Sequence, residues 1–453
     1  MRANALFAAL AFVLGGSPAL AAAPKDKATA KTKAFPFPTE VHTLPNGLRI
    51  AFVQYDSPGL VAYFTLMRVG SRNEPEKGRS GYAHFFEHMM FRGTKKHSAE
   101  DYNETVTRLG LNTNAFTSED MTVYHLFGPS KALPTIIDLE SDRFAHLDYN
   151  EAQFKTEAGA ILGEYAKSAS NPDQLLEEKM LETAFVAHTY RHTVIGYLDD
   201  IKAMPSGYQY SREFFKRYYT PDNATVIVVG DFDKAKTLDE MTQAYSAWSG
   251  KLDPAAIPVE PPQTTEKSAH VDWKTPTVPR LWMAWHAPSD NEIKDAAIQT
   301  VLNAYLFGPT SPLYQDLVLG RQIVDRMMPT YDDHRDPSLF GVLFQVKDTK
   351  DEQAVRDAVA AQLKDLASGK VDKTRLEAIR SHLKYNAILQ LDTAERVALV
   401  LATTTAPTGE LDFLNKLYAT VDSLKPEDLS AFAKQYLIDA NETTVTLSHG
   451  GAK

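Results

Sequence analysis

His84 and His88 stand four residues apart in the run Gly81-Tyr-Ala-His-Phe-Phe-Glu-His88, with Glu87 between them. On a helix, positions i and i+4 share one face, so two imidazole nitrogens can point at one cation, and Glu87 at i+3 shares that face. Two neutral imidazoles leave a tetrahedral zinc ion one protein ligand short. A carboxylate is a usual third donor where the remaining position serves hydrolysis. The segment Glu157-Ala-Gly-Ala-Ile-Leu-Gly-Glu164 offers two acids seven positions apart, close to two full turns and therefore on one helix face. The competing explanation is a pair of hydrogen-bonded core histidines, since 13 histidines in 453 residues allow a chance match. Against it, Glu87 lies among Phe85, Phe86, Met89 and Met90, where an uncompensated carboxylate is costly to bury. A metal site accounts for that cost.

Such residues need a folded frame, and the composition provides one. With 43% hydrophobic and 23% charged residues the chain is globular rather than disordered, and 453 residues exceed what one hydrophobic core usually spans. No cysteine is present, which excludes disulfides, thiolate metal ligands and a thiol nucleophile. The net charge of -10 argues against a nucleic-acid partner held through its phosphates. Met1-Arg2, the short apolar run Ala5 to Leu14 and Ala19-Leu20-Ala21 form the three parts of a secretory signal peptide over residues 1–21. No later stretch has the length of a membrane span, so no membrane anchor is expected. An exported, cysteine-free chain points to the periplasm, with secretion to the medium as the alternative. The Ala/Thr/Lys-rich stretch that follows is expected to be a flexible leader over 22–35.

Beyond the leader, strand patterns over 48–54 and 61–69, a helix over 81–91, a polar helix over 99–109 and a strand or hairpin over 113–127 precede a mostly helical stretch. That stretch closes on the buried strand Ala224-Thr-Val-Ile-Val-Val-Gly230. We assign 36–250 to an N-terminal zinc-binding domain, 251–276, rich in proline, to a linker, and 277–453 to a second domain. In the latter, strands are expected over 278–286, 340–346 and 443–447. Lys216-Arg-Tyr218 with Asn223-Ala-Thr-Val-Ile-Val, and Lys434-Gln-Tyr436 with Asn441-Glu-Thr-Thr-Val-Thr, lie 218 positions apart. Their place at both domain ends reads as internal duplication. The expected class is α+β: two homologous domains, each a mixed or antiparallel sheet covered by helices.

Gly70-Ser-Arg-Asn-Glu-Pro75 followed by Gly81-Tyr-Ala-His-Phe-Phe-Glu-His-Met-Met-Phe-Arg-Gly-Thr94 resembles the signature of the pitrilysin/insulinase-type metallopeptidases. This H-x-x-E-H, or inverzincin, family includes the mitochondrial processing peptidase. The likeness continues at Asn114-Ala-Phe-Thr-Ser118, Glu140-x-Asp-Arg143, His188-x-Tyr190 and Tyr219-x-Pro-x-Asn223, and so spans nearly the whole mature chain. The resemblance implies zinc (Zn²⁺) held by His84, His88 and Glu164, with Glu157 behind a ligand histidine and Glu87 as the catalytic acid/base. It implies a strand at Asn114 and Ala115 that pairs with extended peptide substrates, and a bowl-shaped half of a peptide-enclosing chamber.

One departure is specific. The family usually carries an Arg and, seven residues later, a Tyr in the second domain, both reaching substrate. Alignment through Ser311-Pro-Leu-Tyr-Gln-Asp-Leu317 puts Val318 and Asp325 at those positions, and neither can do that job. The resemblance therefore implies a zinc-bearing subunit whose homologous partner supplies the pair. A self-sufficient homodimer and a non-catalytic structural or assembly subunit are the competing readings.

Overall fold

The computed structural model describes residues 33–331 and 333–450; the expected signal segment and most of the leader lie outside them. Eleven strands are present among the described residues: β1 (Glu40–Thr43), β2 (Arg49–Gln54), β3 (Leu60–Met67), β4 (Asn112–Thr117), β5 (Thr122–Pro129), β6 (Ala224–Gly230), β7 (Lys267–Trp273), β8 (Arg280–Ala287), β9 (Val324–Thr330), β10 (Ser338–Val346) and β11 (Glu442–His449). The first half forms a six-stranded sheet in the order β1-β2-β6-β3-β5-β4, and the second a five-stranded sheet in the order β7-β11-β8-β10-β9.

Leave out β1 and the two sheets have one topology. β6 lies parallel to β2 and antiparallel to β3, as β11 lies parallel to β7 and antiparallel to β8. The match extends to single hydrogen bonds. Asn223 Nδ2 donates to the carbonyl of Tyr218 at 2.9 Å and to that of Arg68 at 3.5 Å. Asn441 Nδ2 donates to those of Tyr436 at 2.8 Å and His286 at 2.6 Å. All three pairs are offset by the same 218 positions, so each asparagine ties the turn before the last strand to the end of the equivalent neighbouring strand.

Side chains alternate across the first sheet as the pleat demands. Ile50, Phe52, Tyr63, Val226 and Val228 face helices of their own half, while Ala51, Val53, Phe64, Ile227 and Val229 face the other way. That second face is closed by a helix of the second half, Ala394–Thr408, which lies on β3 and β6. In return Pro172–Ala184 of the first half packs Leu176, Met180 and Ala184 against β7 and β11. Each half thus covers the other's sheet with one helix.

Two expected boundaries shift. The segment expected to be a linker over 251–276 contains β7, which is polar and lies at a sheet edge with no fully buried residue, so no apolar alternation announces it. At the other end, Ala34 and Phe35 belong to the core rather than to a free leader, and the Phe35 N–H donates to Asn415 Oδ1 at 2.9 Å. Strands β1 and β9 also lie outside the expected set; both are at sheet edges, where exposed positions blur the pattern. Among the described residues no helix is long and apolar enough to cross a membrane.

Candidate metal centre

The histidines lie on a helix of eight residues, α1 (Tyr82–Met89). It starts at Gly81, whose φ of 90° favours glycine and where a Cβ would meet the Ile195 carbonyl at 2.6 Å. The buried Glu74 carboxylate accepts from the N–H groups of Gly81 at 2.7 Å and Ala83 at 2.6 Å, satisfying amides that a helix start leaves orphaned. Tyr82, Ala83, Phe85, Phe86 and Met89 are buried, which leaves His84, Glu87 and His88 on the opposite, partly open face.

Across from them runs α2 (Glu151–Ser168), started by an Asn150 side chain that accepts from Gln153 N. It carries Glu157 and Glu164. Donor atoms of His84, His88 and Glu164 all lie within 4.8 Å of one another. Glu164 Oε2 is 3.7 Å from His84 Nε2 and 3.4 Å from His88 Nε2. Donors about 2.0–2.1 Å from one tetrahedral ion are separated from each other by roughly 3.4 Å, so these gaps suit a shared zinc ion.

The surroundings fit as well. Glu157 is 1% exposed; it accepts from His88 Nδ1 at 2.9 Å and from Arg92 Nε. That contact fixes the His88 tautomer and leaves Nε2 as the outward donor. His84 Nδ1 is buried without a hydrogen-bond partner among the described residues. Burial lowers the pKa of His84, which favours the neutral imidazole a metal needs. For His88 burial acts the same way but is outweighed by the hydrogen bonds to Glu157 and Glu164, which push it up to about 9. Both glutamates are held below the ordinary carboxylate pKa. In Glu157 burial is the largest single cause and opposes ionisation, but the bonds to His88 and Arg92 together outweigh it; in Glu164 the bond to His88 is the largest cause. Neutral His84, a pre-oriented His88 and an ionised Glu164 make a two-nitrogen, one-oxygen donor set suited to zinc.

Glu87 projects beside this set, and its Oε2 accepts from Thr117 Oγ1 at 2.6 Å. Thr117 ends β4, the edge strand that carries Asn114, exposed, opposite His125 and Ala115, buried, opposite Tyr124. An edge strand leaves one row of backbone N–H and C=O groups free, which is what an added peptide strand needs. Thr117 and Arg92 were not singled out by the sequence. Arg92 lies one turn beyond His88, a spacing that could have signalled it, whereas Thr117 meets Glu87 only through the fold.

In the second half, Val318 sits partly buried in the helical turn Tyr314–Gly320, and Asp325 on β9 pairs with Lys347 at 3.5 Å. Nor do nearby residues replace the missing pair. Arg321 is tied to Asp316 at 3.0 Å, and the Tyr331 hydroxyl donates to Asp290 at 2.6 Å.

Comparison with known proteins agrees with this architecture. Residues 56–196 match the model of Insulinase (Peptidase family M16) and residues 208–383 that of the Peptidase M16 inactive domain. The chain belongs to the pitrilysin/insulinase family, M16. It is 27% identical over 418 residues to the zinc protease PqqE of Helicobacter pylori, covering 89% of this chain and 91% of that one. Against the probable mitochondrial-processing peptidase subunit beta of Arabidopsis thaliana, identity is 23% over 414 residues, covering 88% and 76%. The crystal structure of a protease from Helicobacter pylori superposes with a TM-score of 0.84 at 27% identity, covering 91% of this chain and 99% of that one. The first half of the periplasmic protease PqqL from Escherichia coli shares the fold, with a TM-score of 0.72 at 21% identity and coverage of 91% and 92%.

Proposed function

We propose that this chain is a zinc-dependent endopeptidase or oligopeptidase and the zinc-bearing subunit of a two-subunit enzyme. The observation that carries it is the convergence of His84, His88 and Glu164 within 4.8 Å beside Glu87. A bound zinc ion would supply a Lewis acid, polarising the scissile carbonyl and acidifying water. Glu87 accepts the proton of the attacking water and returns it to the leaving amine. Thr117 holds one oxygen of that carboxylate in place, and the free edge of β4 at Asn114 and Ala115 aligns an extended peptide by main-chain hydrogen bonds.

Val318 and Asp325 favour the two-subunit form, because neither supplies the hydrogen-bond donor that substrate binding from the second half requires. A homologous partner enclosing the chamber would bring it. Export to the periplasm, read from residues 1–21, belongs to the same proposal, and cell fractionation tests it. The enzymatic test is cleavage of a fluorogenic peptide, with and without chelator, by the purified chain alone and mixed with a homologous subunit. The reading requires chelator-sensitive cleavage that rises on mixing. Equal rates alone and mixed would remove the partner, and a self-sufficient homodimer would take its place.

A further inference from the structure

A cavity of about 380 Å³, lined by none of His84, Glu87, His88 and Glu164, opens where the two halves meet. Arg68 and Arg72 of the first half, Arg335 of the second and the proline-rich connection over residues 252–260 line it. Its acids are already engaged. Glu260 accepts from the N–H groups of Val186, Ala187 and His188, each at 2.8 Å. Asp336 is shared by Arg72 Nε at 2.6 Å and His188 Nε2 at 2.9 Å.

Two guanidiniums lack a directly paired carboxylate. Arg68 donates only to backbone carbonyls, those of Ala406 at 2.8 Å and Pro407 at 3.0 Å, and Arg335 gives one long bond of 3.4 Å to the Arg68 carbonyl. Among the described residues neither guanidinium forms an ion pair with a carboxylate. Burial first, and then neighbouring guanidiniums, pull both below the ordinary arginine pKa, Arg68 to about 10. Asp120, whose Oδ2 accepts from the Arg335 backbone N–H at 3.0 Å, attracts both guanidiniums and Asp336 attracts that of Arg335, but neither carboxylate pairs with them directly, so both partly desolvated cations keep donors that a bound anion would engage. The remaining wall is largely apolar, with Leu252, Ile257 and Pro258 contributed by the connection.

We propose that this cavity binds a small organic anion, its carboxylate or phosphate group between Arg68 and Arg335 and its apolar body against Leu252, Ile257 and Pro258. Bound there, the ligand touches both halves and the segment joining them, so it tightens the joint without entering the metal centre. This inference is independent of the peptidase reading.

The test is calorimetric titration of the full chain with hexanoate, inorganic phosphate and neutral hexanamide at constant chloride concentration. Saturable binding of hexanoate or phosphate is expected, the stronger of the two identifying the head group, with none for hexanamide. Arg335→Gln, which leaves the backbone contacts of the loop in place, should weaken binding by about tenfold or more. Arg335→Lys should fall between. Absence of saturable binding by either anion, equal binding of hexanamide, or unchanged affinity in Arg335→Gln would overturn the proposal. Should Arg335→Gln not fold, the hexanoate–hexanamide contrast in the unaltered chain and the Arg335→Lys affinity decide.

Discussion

Thr117, at the end of edge strand β4, donates its hydroxyl hydrogen to Glu87 Oε2 on α1 at 2.6 Å. One bond therefore couples the strand suited to seat a peptide with the carboxylate suited to move its proton. Thr117→Val keeps the shape and removes the donor. The account predicts a fall in kcat of about tenfold, with zinc stoichiometry unchanged, because the carboxylate keeps its place on α1 but loses its orientation. Steady-state kinetics on a fluorogenic peptide, read beside metal analysis, checks this. A fall in zinc content instead would show that Thr117 supports the metal centre.

Glu157 is placed to act on a bound metal through His88. Its removal leaves His88 Nδ1 without its carboxylate and Arg92 without its partner. Glu157→Gln should weaken zinc affinity by about 10–100-fold, measured by competition with a chromogenic chelator, and excess zinc should restore most of the cleavage. Cleavage that stays low at saturating zinc would assign Glu157 a role in the reaction itself.

The exchange of helices between the halves makes a prediction about unfolding. Helix Ala394–Thr408 closes the first sheet and Pro172–Ala184 the second, so neither half keeps a complete core alone. Calorimetry should show one cooperative transition, and Leu401→Ala should lower stability by about 3 kcal/mol while keeping a single transition. Two resolved transitions would show that the halves fold independently.

Asp336 joins the halves through Arg72 and His188. Burial opposes its ionisation, but the bonds from His188 and Arg72 outweigh burial and hold its carboxyl well below the ordinary range. A folded-state pKa below the unfolded value contributes stability above roughly pH 4, lost progressively as pH falls further. Asp336→Asn should therefore cost about 2 kcal/mol at neutral pH. The gap between the two proteins in urea should narrow in acid; a gap constant from neutral pH to pH 3 would contradict the assignment.

What the sequence disclosed followed from local rules. The i, i+4 spacing of His84 and His88 and the seven-residue spacing of Glu157 and Glu164 are properties of single helices, and both helices form with those residues on one face. The repeated Asn-Tyr pattern, 218 positions apart, revealed the duplication because each asparagine fastens the same turn. Contacts made by distant segments were hidden. β7 lacks buried residues, the Thr117–Glu87 bond joins a strand to a helix, and the exchanged helices have ordinary amphipathic patterns that do not say which sheet they cover.

The measurement that bears most directly on the central claim is made on Glu87→Gln. Glu87 lies beside the proposed metal ligands and outside their donor set, so the variant should bind zinc like the unaltered chain while its peptide cleavage falls by about 10²–10⁴-fold. Zinc bound in normal amount together with cleavage at the normal rate would contradict the account.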